Sequence, residues 1–292
     1  MKNLVLGMAD GYNAQELAPF VKSLRSTGFS GDLVLFVASS TARQLQSFAS
    51  QHDITLVDLP WAGRLFGRIR PLVALKRQIL REQNDLETFV ADRWKHHPVV
   101  GRFSFYRQFI ADNRTEYEKV LLCDVRDVVF QSDPLAVELP ADICLFAEHP
   151  SHSIGQSESN TRWIHRVFGQ ETLAALADKP IICGGVMLGT TEGMLSLLDQ
   201  LIASMAACQS NWSLRFGLDQ AALNCIAYVA GIPGAHIFGC CEGPATHLAL
   251  VPAEQLDIQS DGQVLDRSGN IIPLLHQYDR HEQLQGLARK VA

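Results

Sequence analysis

The chain has 292 residues, 47% of them hydrophobic and 19% charged, which supplies a core large enough for one sizeable domain or two small ones and excludes overall disorder. Its formal net charge of −6 gives no global attraction to polyanions, so no nucleic-acid partner is expected. No run approaches the roughly 20 apolar residues of a membrane span, and Met1 to Gly7 is too short an apolar stretch for a signal-peptide core. A cytoplasmic protein is the expectation.

Seven scattered cysteines lie mostly within apolar runs and match no zinc-binding spacing, and they read as reduced core residues. The glycosylation triplets at Asn113 and Asn211 are expected to be unmodified in that compartment.

Residues 3–8 form an apolar run that predicts a strand, 13–28 carry helical spacing through Leu17, Phe20, Val21 and Leu24, and 32–37 are again a buried-strand run. A helix over about 41–50 and a strand over 54–57 repeat the pattern. The first sixty residues therefore predict βαβ units and a parallel sheet, whose ligands sit at the carboxyl ends of the strands. Residues 61–97 are long, charged and helical, with Arg64, Arg68, Arg70, Lys76, Arg77 and Arg81 ahead of Glu82, Asp85, Glu87 and Asp92. They read as an exposed helical pair, or as a basic segment (61–81) that touches an anionic acceptor or a membrane surface.

A helix over about 102–112 leads to a strand over 118–123. After Asp133-Pro134 come a strand at 143–147, a polar loop over 149–160 with the composition of a lid or acceptor-facing segment, and helical segments near 161–168 and 170–177. The remainder predicts a strand from Ile181 to Leu188, helices over 191–208 and 219–230, and a hairpin over 263–276 around Arg267-Ser-Gly-Asn270. No internal repeat or linker divides the chain.

The densest chemical signal is Val120-Leu-Leu-Cys-Asp124-Val-Arg126-Asp127. An apolar strand ending abruptly in carboxylates puts them at the sheet edge, where a divalent cation can bridge protein and diphosphate oxygens. The bland alternative is that Asp124 and Asp127 cap the strand or pair with Arg126. Side chains two apart on a strand share a face and those three apart do not, so a joint role for Asp124 and Asp127 requires the strand to end at Asp124.

Here the chain resembles the GT-A nucleotide-diphospho-sugar transferases, and among them the glycogenin-like family 8 group, across most of its length. In that family an equivalent strand ends in an Asp-x-Asp that binds manganese. Asp124 takes the first position, Arg126 stands at the second, and Asp127 follows one residue late. Either a turn returns Asp127 to the cation, or Arg126 itself neutralises part of the diphosphate charge; the first is preferred.

Met8-Ala9-Asp10-Gly11-Tyr12 is similar to the family's turn after strand one, whose aromatic ring stacks on uracil. Ser104-Phe-Tyr106-Arg107 is similar to its Tyr-x-Arg helix, whose arginine reaches the sugar-phosphate region. Cys183-Gly184-Gly185-Val186-Met187 is similar to the strand lining the donor-sugar pocket, with Cys183 in place of a polar Asn. Asp219-Gln220-Ala-Ala-Leu223-Asn224 is similar to a helix start that approaches the anomeric centre, although helix capping alone also explains Asp219. His276, closing the apolar run Leu274-Leu275, sits where the family has a metal-binding His, and Arg280 is the nearby cation able to replace its phosphate-binding Lys.

The resemblance implies a single α/β domain of GT-A, Rossmann-like fold with a mixed, mainly parallel sheet. Residues 1–135 would form the nucleotide-binding half and 136–292 the sugar- and acceptor-binding half. It implies transfer of a hexose from a nucleotide-diphosphate donor, expected to be a UDP-sugar, to the hydroxyl of an unknown glycan, lipid or protein. Asp124, Asp127 and His276 are the expected ligands of Mn2+ or Mg2+. Ala9, Asp10, Tyr12, Arg107, Arg126, Gly184, Gly185 and Arg280 are the expected donor contacts, with Asp219, Gln220 and Arg107 at the reacting centre. Retention of configuration is implied; inversion would need a carboxylate base, with Asp219 and Asp279 as candidates. The rival readings are a catalytically degenerate fold that binds sugar nucleotides or a partner protein, and a phosphatase with an aspartate nucleophile. The latter's motif usually opens a chain and continues to a Thr, unlike Asp124.

Overall fold

The computed structural model describes residues 1–59, 98–208 and 217–291. The helical pair expected over 61–97, its basic segment 61–81 and the triplet at Asn211 lie outside them. Among the described residues no helix is long and apolar enough to cross a membrane.

The chain opens with β1 (Lys2–Met8), α1 (Ala14–Ser26), β2 (Asp32–Ala38), α2 (Ser39–Gln51) and β3 (Ile54–Leu59). Asn13 starts α1 with a capping box: its side chain accepts from the backbone N–H groups of Gln15 and Glu16, and Glu16 reaches back to the Asn13 N–H. Next come α3 (Pro98–Asp112), β4 (Tyr117–Cys123), β5 (Val128–Phe130) and β6 (Ile143–Ala147). Two helices flank the longest strand in α4 (Glu158–Leu176), β7 (Ile182–Thr190) and α5 (Thr191–Ala207). The C-terminal part comprises α6 (Leu218–Cys225), β8 (Ala235–Phe238), β9 (Ala245–His247), β10 (Asp257–Ile258), β11 (Val264–Leu265), β12 (Leu274–His276) and α7 (Glu282–Val291).

Seven strands form one sheet in the order β3-β2-β1-β4-β7-β6-β8, parallel throughout except for β7, which runs antiparallel to both β4 and β6. This is an α/β domain with a mostly parallel central sheet between helices. Side chains alternate across the strands, so one strand feeds two cores. Leu4, Leu6, Val120 and Leu122 pack with Phe103 and Tyr106 of α3 and Leu198 of α5, while Val5, Leu35 and Leu121 pack with Leu17 and Phe20 of α1 on the opposite face.

A second, three-stranded sheet lies against this frame in the order β5-β12-β9, with β12 antiparallel to β5 and parallel to β9. Its register sets His276 opposite both Val128 and His247. The hairpin expected over 263–276 forms only as a single bridge between Leu265 and Ile271; β11 pairs with β10 instead, and β12 leaves to join β5 and β9. The physical reason is burial. Leu274 and Leu275 are completely buried between the two cores that flank β12, a position that a solvent-facing hairpin arm cannot provide.

The helix expected over 219–230 ends at Cys225 and widens into a π turn over 226–230. The two segments expected near 161–168 and 170–177 are one element broken at Gly169, whose φ of 86° no helix accommodates. The seven cysteines are free thiols, five of them buried.

Candidate metal centre

The strand β4 stops at Cys123, and the chain bends through 125–127 before β5 begins. Asp124 remains tied to the sheet edge, its N–H donating to Gly185 O at 2.8 Å. The bend meets the condition for a joint arrangement of the two carboxylates and turns Asp127 back beneath Asp124. His276, at the end of β12, completes the group: its Nε2 lies 3.7 Å from Asp124 Oδ2 and 3.5 Å from Asp127 Oδ1. Ligand atoms of Asp124, Asp127 and His276 all fall within 4.8 Å of one another. Two carboxylates and one imidazole are a donor set that can hold a divalent cation.

Arg126 points the other way and pairs with Asp279 at 3.1 Å, half exposed to solvent. Arg280 approaches the same carboxylate at 3.7 Å. Two guanidinium groups therefore bracket Asp279 on the rim of the cluster. Tyr12, half-buried after β1, stands close enough to Arg126, Asp124 and Asp127 to feel their charges, and burial pushes its hydroxyl above the ordinary range. Ala9 and Asp10 shape that turn: Ala9 is completely buried, and Asp10 Oδ1 accepts from the Ala38 N–H at 3.0 Å and from Thr41 Oγ1 at 3.2 Å. The Asp10 carboxylate thus ties the ends of β1 and β2 together.

Arg107 is not brought to this group. Its Nε donates to Asp199 on α5 at 2.7 Å. Arg102, five residues earlier on α3, takes the position instead: it donates to Asp124 Oδ1 at 2.7 Å and to Asp219 Oδ2 at 3.1 Å. Five residues on a helix turn the side chain through about 140°, which is why only one of the two arginines can face the sheet edge. Burial would lower the Arg102 pKa, but Asp124 and Asp219 outweigh it and raise it, so the guanidinium stays charged.

Asp219 does not cap its helix. Gly217 occupies the cap with φ 84°, and the Asp219 carboxylate, buried and pushed upward by that burial against the pull of Arg102, faces Arg102. Gln220 donates to Asn160 Oδ1 at 3.0 Å and reaches the Gly184 N–H at 3.5 Å. Gly185 packs face-on against the cluster. A methyl group there would overlap His276 Cε1 and stand 3.0 Å from Asp124 Oδ2, so this strand position requires glycine for space, not for φ.

Behind His276 lies a second, fully buried layer that the sequence reading missed. His247 Nδ1 is 2.7 Å from His276 Nδ1, and Cys183 Sγ is 3.9 Å from the same nitrogen. Burial, with His276 alongside, holds the His247 pKa well below its ordinary value, so this ring is neutral. Burial and the nearby Glu148 keep the Cys183 thiol protonated, and Glu148 is itself pushed up to about 7 by burial. His247 follows Gly243-Pro244-Ala245-Thr246 and not an apolar run, so the pattern that singles out His276 was absent there.

No protein-family model matches this chain, and no curated protein matches it.

Proposed function

We propose that the chain is a glycosyltransferase that transfers a hexose from a nucleotide-diphosphate sugar, a UDP-sugar in the first instance, to a hydroxyl acceptor with the help of Mn2+ or Mg2+. One observation carries this reading: Asp124, Asp127 and His276 converge at the carboxyl end of β4, beside the end of β1 that bears Tyr12. In an open α/β sheet that edge is the ligand-binding side. The order of the seven-stranded sheet, with its single reversed strand and the small sheet carrying β12, is compatible with the GT-A frame.

In this reading Tyr12 offers a stacking face to the base. Asp124, Asp127 and His276 hold the cation, which when bound supplies Lewis-acid stabilisation of the charge that develops on the diphosphate leaving group. Arg126 and Arg280 exchange part of their contact with Asp279 for phosphate oxygens. Arg102 keeps Asp124 and Asp219 at a fixed separation. Gly184 and Gly185 let the sugar approach the backbone, with Asp219 and Gln220 on its far side. Since leaving-group oxygen and acceptor meet on one face, no strong base is required, and the product keeps the donor's configuration.

The test is a melting-shift screen of nucleotide sugars with and without Mn2+. A UDP-sugar is expected to raise the melting temperature only when Mn2+ is present, by an amount that grows with its concentration. Indifference to every nucleotide sugar under both conditions removes the reading. Arg102 favours one alternative, because it neutralises an oxygen of Asp124 from within the site. A degenerate fold that binds but does not transfer would be stabilised by UDP without turning over any UDP-sugar across a wide acceptor panel.

A further inference from the structure

His276 Nδ1 and His247 Nδ1 are 2.7 Å apart, and both rings are almost wholly buried. At that separation one proton lies between the two nitrogens. If it sits on His247, a neutral His276 carries its own proton on Nε2, aimed at Asp124 and Asp127. If it sits on His276 Nδ1, then Nε2 presents a lone pair to those carboxylates. The distances separate the two layers of this arrangement. From Nε2 to the carboxylate oxygens they are 3.5 and 3.7 Å, longer than N–H···O bonds, whereas the contact between the rings has full hydrogen-bond length. The front of the ring is therefore spaced for a shared cation and the back of it for a hydrogen bond.

We propose that His247 is a positioning residue for the cation centre, accepting the proton of His276 Nδ1 and thereby holding His276 in the tautomer whose Nε2 lone pair faces Asp124 and Asp127. A histidine that ligates a metal is ordinarily oriented by a carboxylate, carbonyl or water on its other nitrogen. Here the parallel register of β9 and β12 sets a second imidazole at that place. Cys183, 3.9 Å from the same nitrogen, carries a protonated thiol and is the weaker acceptor. His247 is held in turn by its strand and by an edge-on contact with the Phe146 ring.

The inference rests on the cation reading of Asp124, Asp127 and His276, and the experiment separates the two. Binding of Mn2+ alone is measured by titration calorimetry for the full chain and for His276→Gln, His247→Phe and His247→Asn. Each protein's melting temperature in EDTA serves as the folding control. The wild type is expected to bind and His276→Gln to lose binding. His247→Phe has no acceptor and is expected to bind about 10–100-fold more weakly, and the smaller His247→Asn separates loss of the acceptor from the bulk of the larger ring. His247→Asn sets an amide oxygen close to the lost Nδ1 and is expected to recover most of that loss.

Wild-type protein that binds no Mn2+, or His276→Gln that binds it equally well, removes the cation reading and this proposal with it. His247→Phe binding within twofold of wild type, or His247→Asn weakened as far as His247→Phe, overturns the proposal and leaves the cation reading standing. If His247→Phe does not fold, the wild type decides alone. A long-range 1H–15N spectrum of 15N-histidine-labelled wild type in EDTA, where no cation fixes the tautomer, must show the His276 proton on Nδ1; a proton on Nε2 overturns the proposal and leaves the cation reading standing.

Discussion

A single methyl group added to Gly185 would overlap the His276 ring and press on Asp124, whereas one added to Gly184 would meet only Asp219 and Leu223 at about 4.0 Å, an ordinary contact. Two adjacent glycines are thus expected to differ sharply. Gly185→Ala should weaken Mn2+ binding by at least tenfold, because His276 must move, while Gly184→Ala should bind normally; calorimetry on the pair checks this, and equal behaviour would contradict the packing. At this scale the sequence showed Asp124 and His276 clearly, since a polar residue that closes an apolar strand is conspicuous. Arg102 was missed because similarity of pattern pointed to Arg107. The physical signal was present in a lone charge between Val100 and Phe103, both buried, since a charge on such a stretch must find a partner. His247 was hidden by the brevity of its strand.

Among the elements, α6 holds β7 in place through one side chain. Asn224 is completely buried; its Oδ1 accepts from the Ile182 N–H at 2.9 Å, and its Nδ2 donates to the Ile182 carbonyl at 2.8 Å. It thereby stands in for a neighbouring strand on the β4 side of β7, where β4 has ended at Cys123 opposite Val186, while Ala147 of β6 flanks Ile182 on the other side. Asn224→Leu, similar in volume, leaves both backbone groups unpaired and should cost roughly 3 kcal/mol in urea unfolding. The slope of the transition should be unchanged, and a loss below about 1 kcal/mol would mean that the backbone finds other partners.

The strands legible in the sequence are those of five residues or more, where apolar runs or alternation can be read. Those of β5 and β8 to β12 have two to four residues and carry no period of their own. They are specified by what they pack against, which only the folded chain supplies. The mismatch at 263–276 belongs here: Arg267-Ser-Gly-Asn270 does form a turn, with Asp266 Oδ1 accepting from the Ser268 and Asn270 N–H groups at 2.8 Å. The turn is real, but beyond the Leu265–Ile271 bridge its arms pair elsewhere.

For the whole molecule, the layered α/β plan was legible, because βαβ alternation and two-sided burial leave a pattern in any long strand. The small sheet that brings β12 beside β5 was not, since no local signal specifies it. The buried layer behind the centre also gives the cation-free protein a defined pH response. Glu148 is pushed up to about 7 from its ordinary 4.5 by burial, with His276 and Cys183 acting against the shift. Between those values the native protein binds the proton more tightly than the unfolded chain does, so this carboxyl's contribution to stability falls as pH rises from about 4.5 through 7. Glu148→Gln, unfolded in EDTA, should gain on the wild type across that window by roughly 3 kcal/mol. A difference that stays constant with pH would show that Glu148 ionises normally.

The placement of β12 between β5 and β9 has one further consequence. Asp124 and Asp127 leave the ribosome early, but His276 emerges more than half the chain later, and His247 also precedes it. During synthesis the growing polypeptide carries the acidic pair without the imidazole that completes it. The three-residue cluster is therefore complete only in molecules extended past residue 276, and translation that stops short leaves a chain with the acidic pair alone.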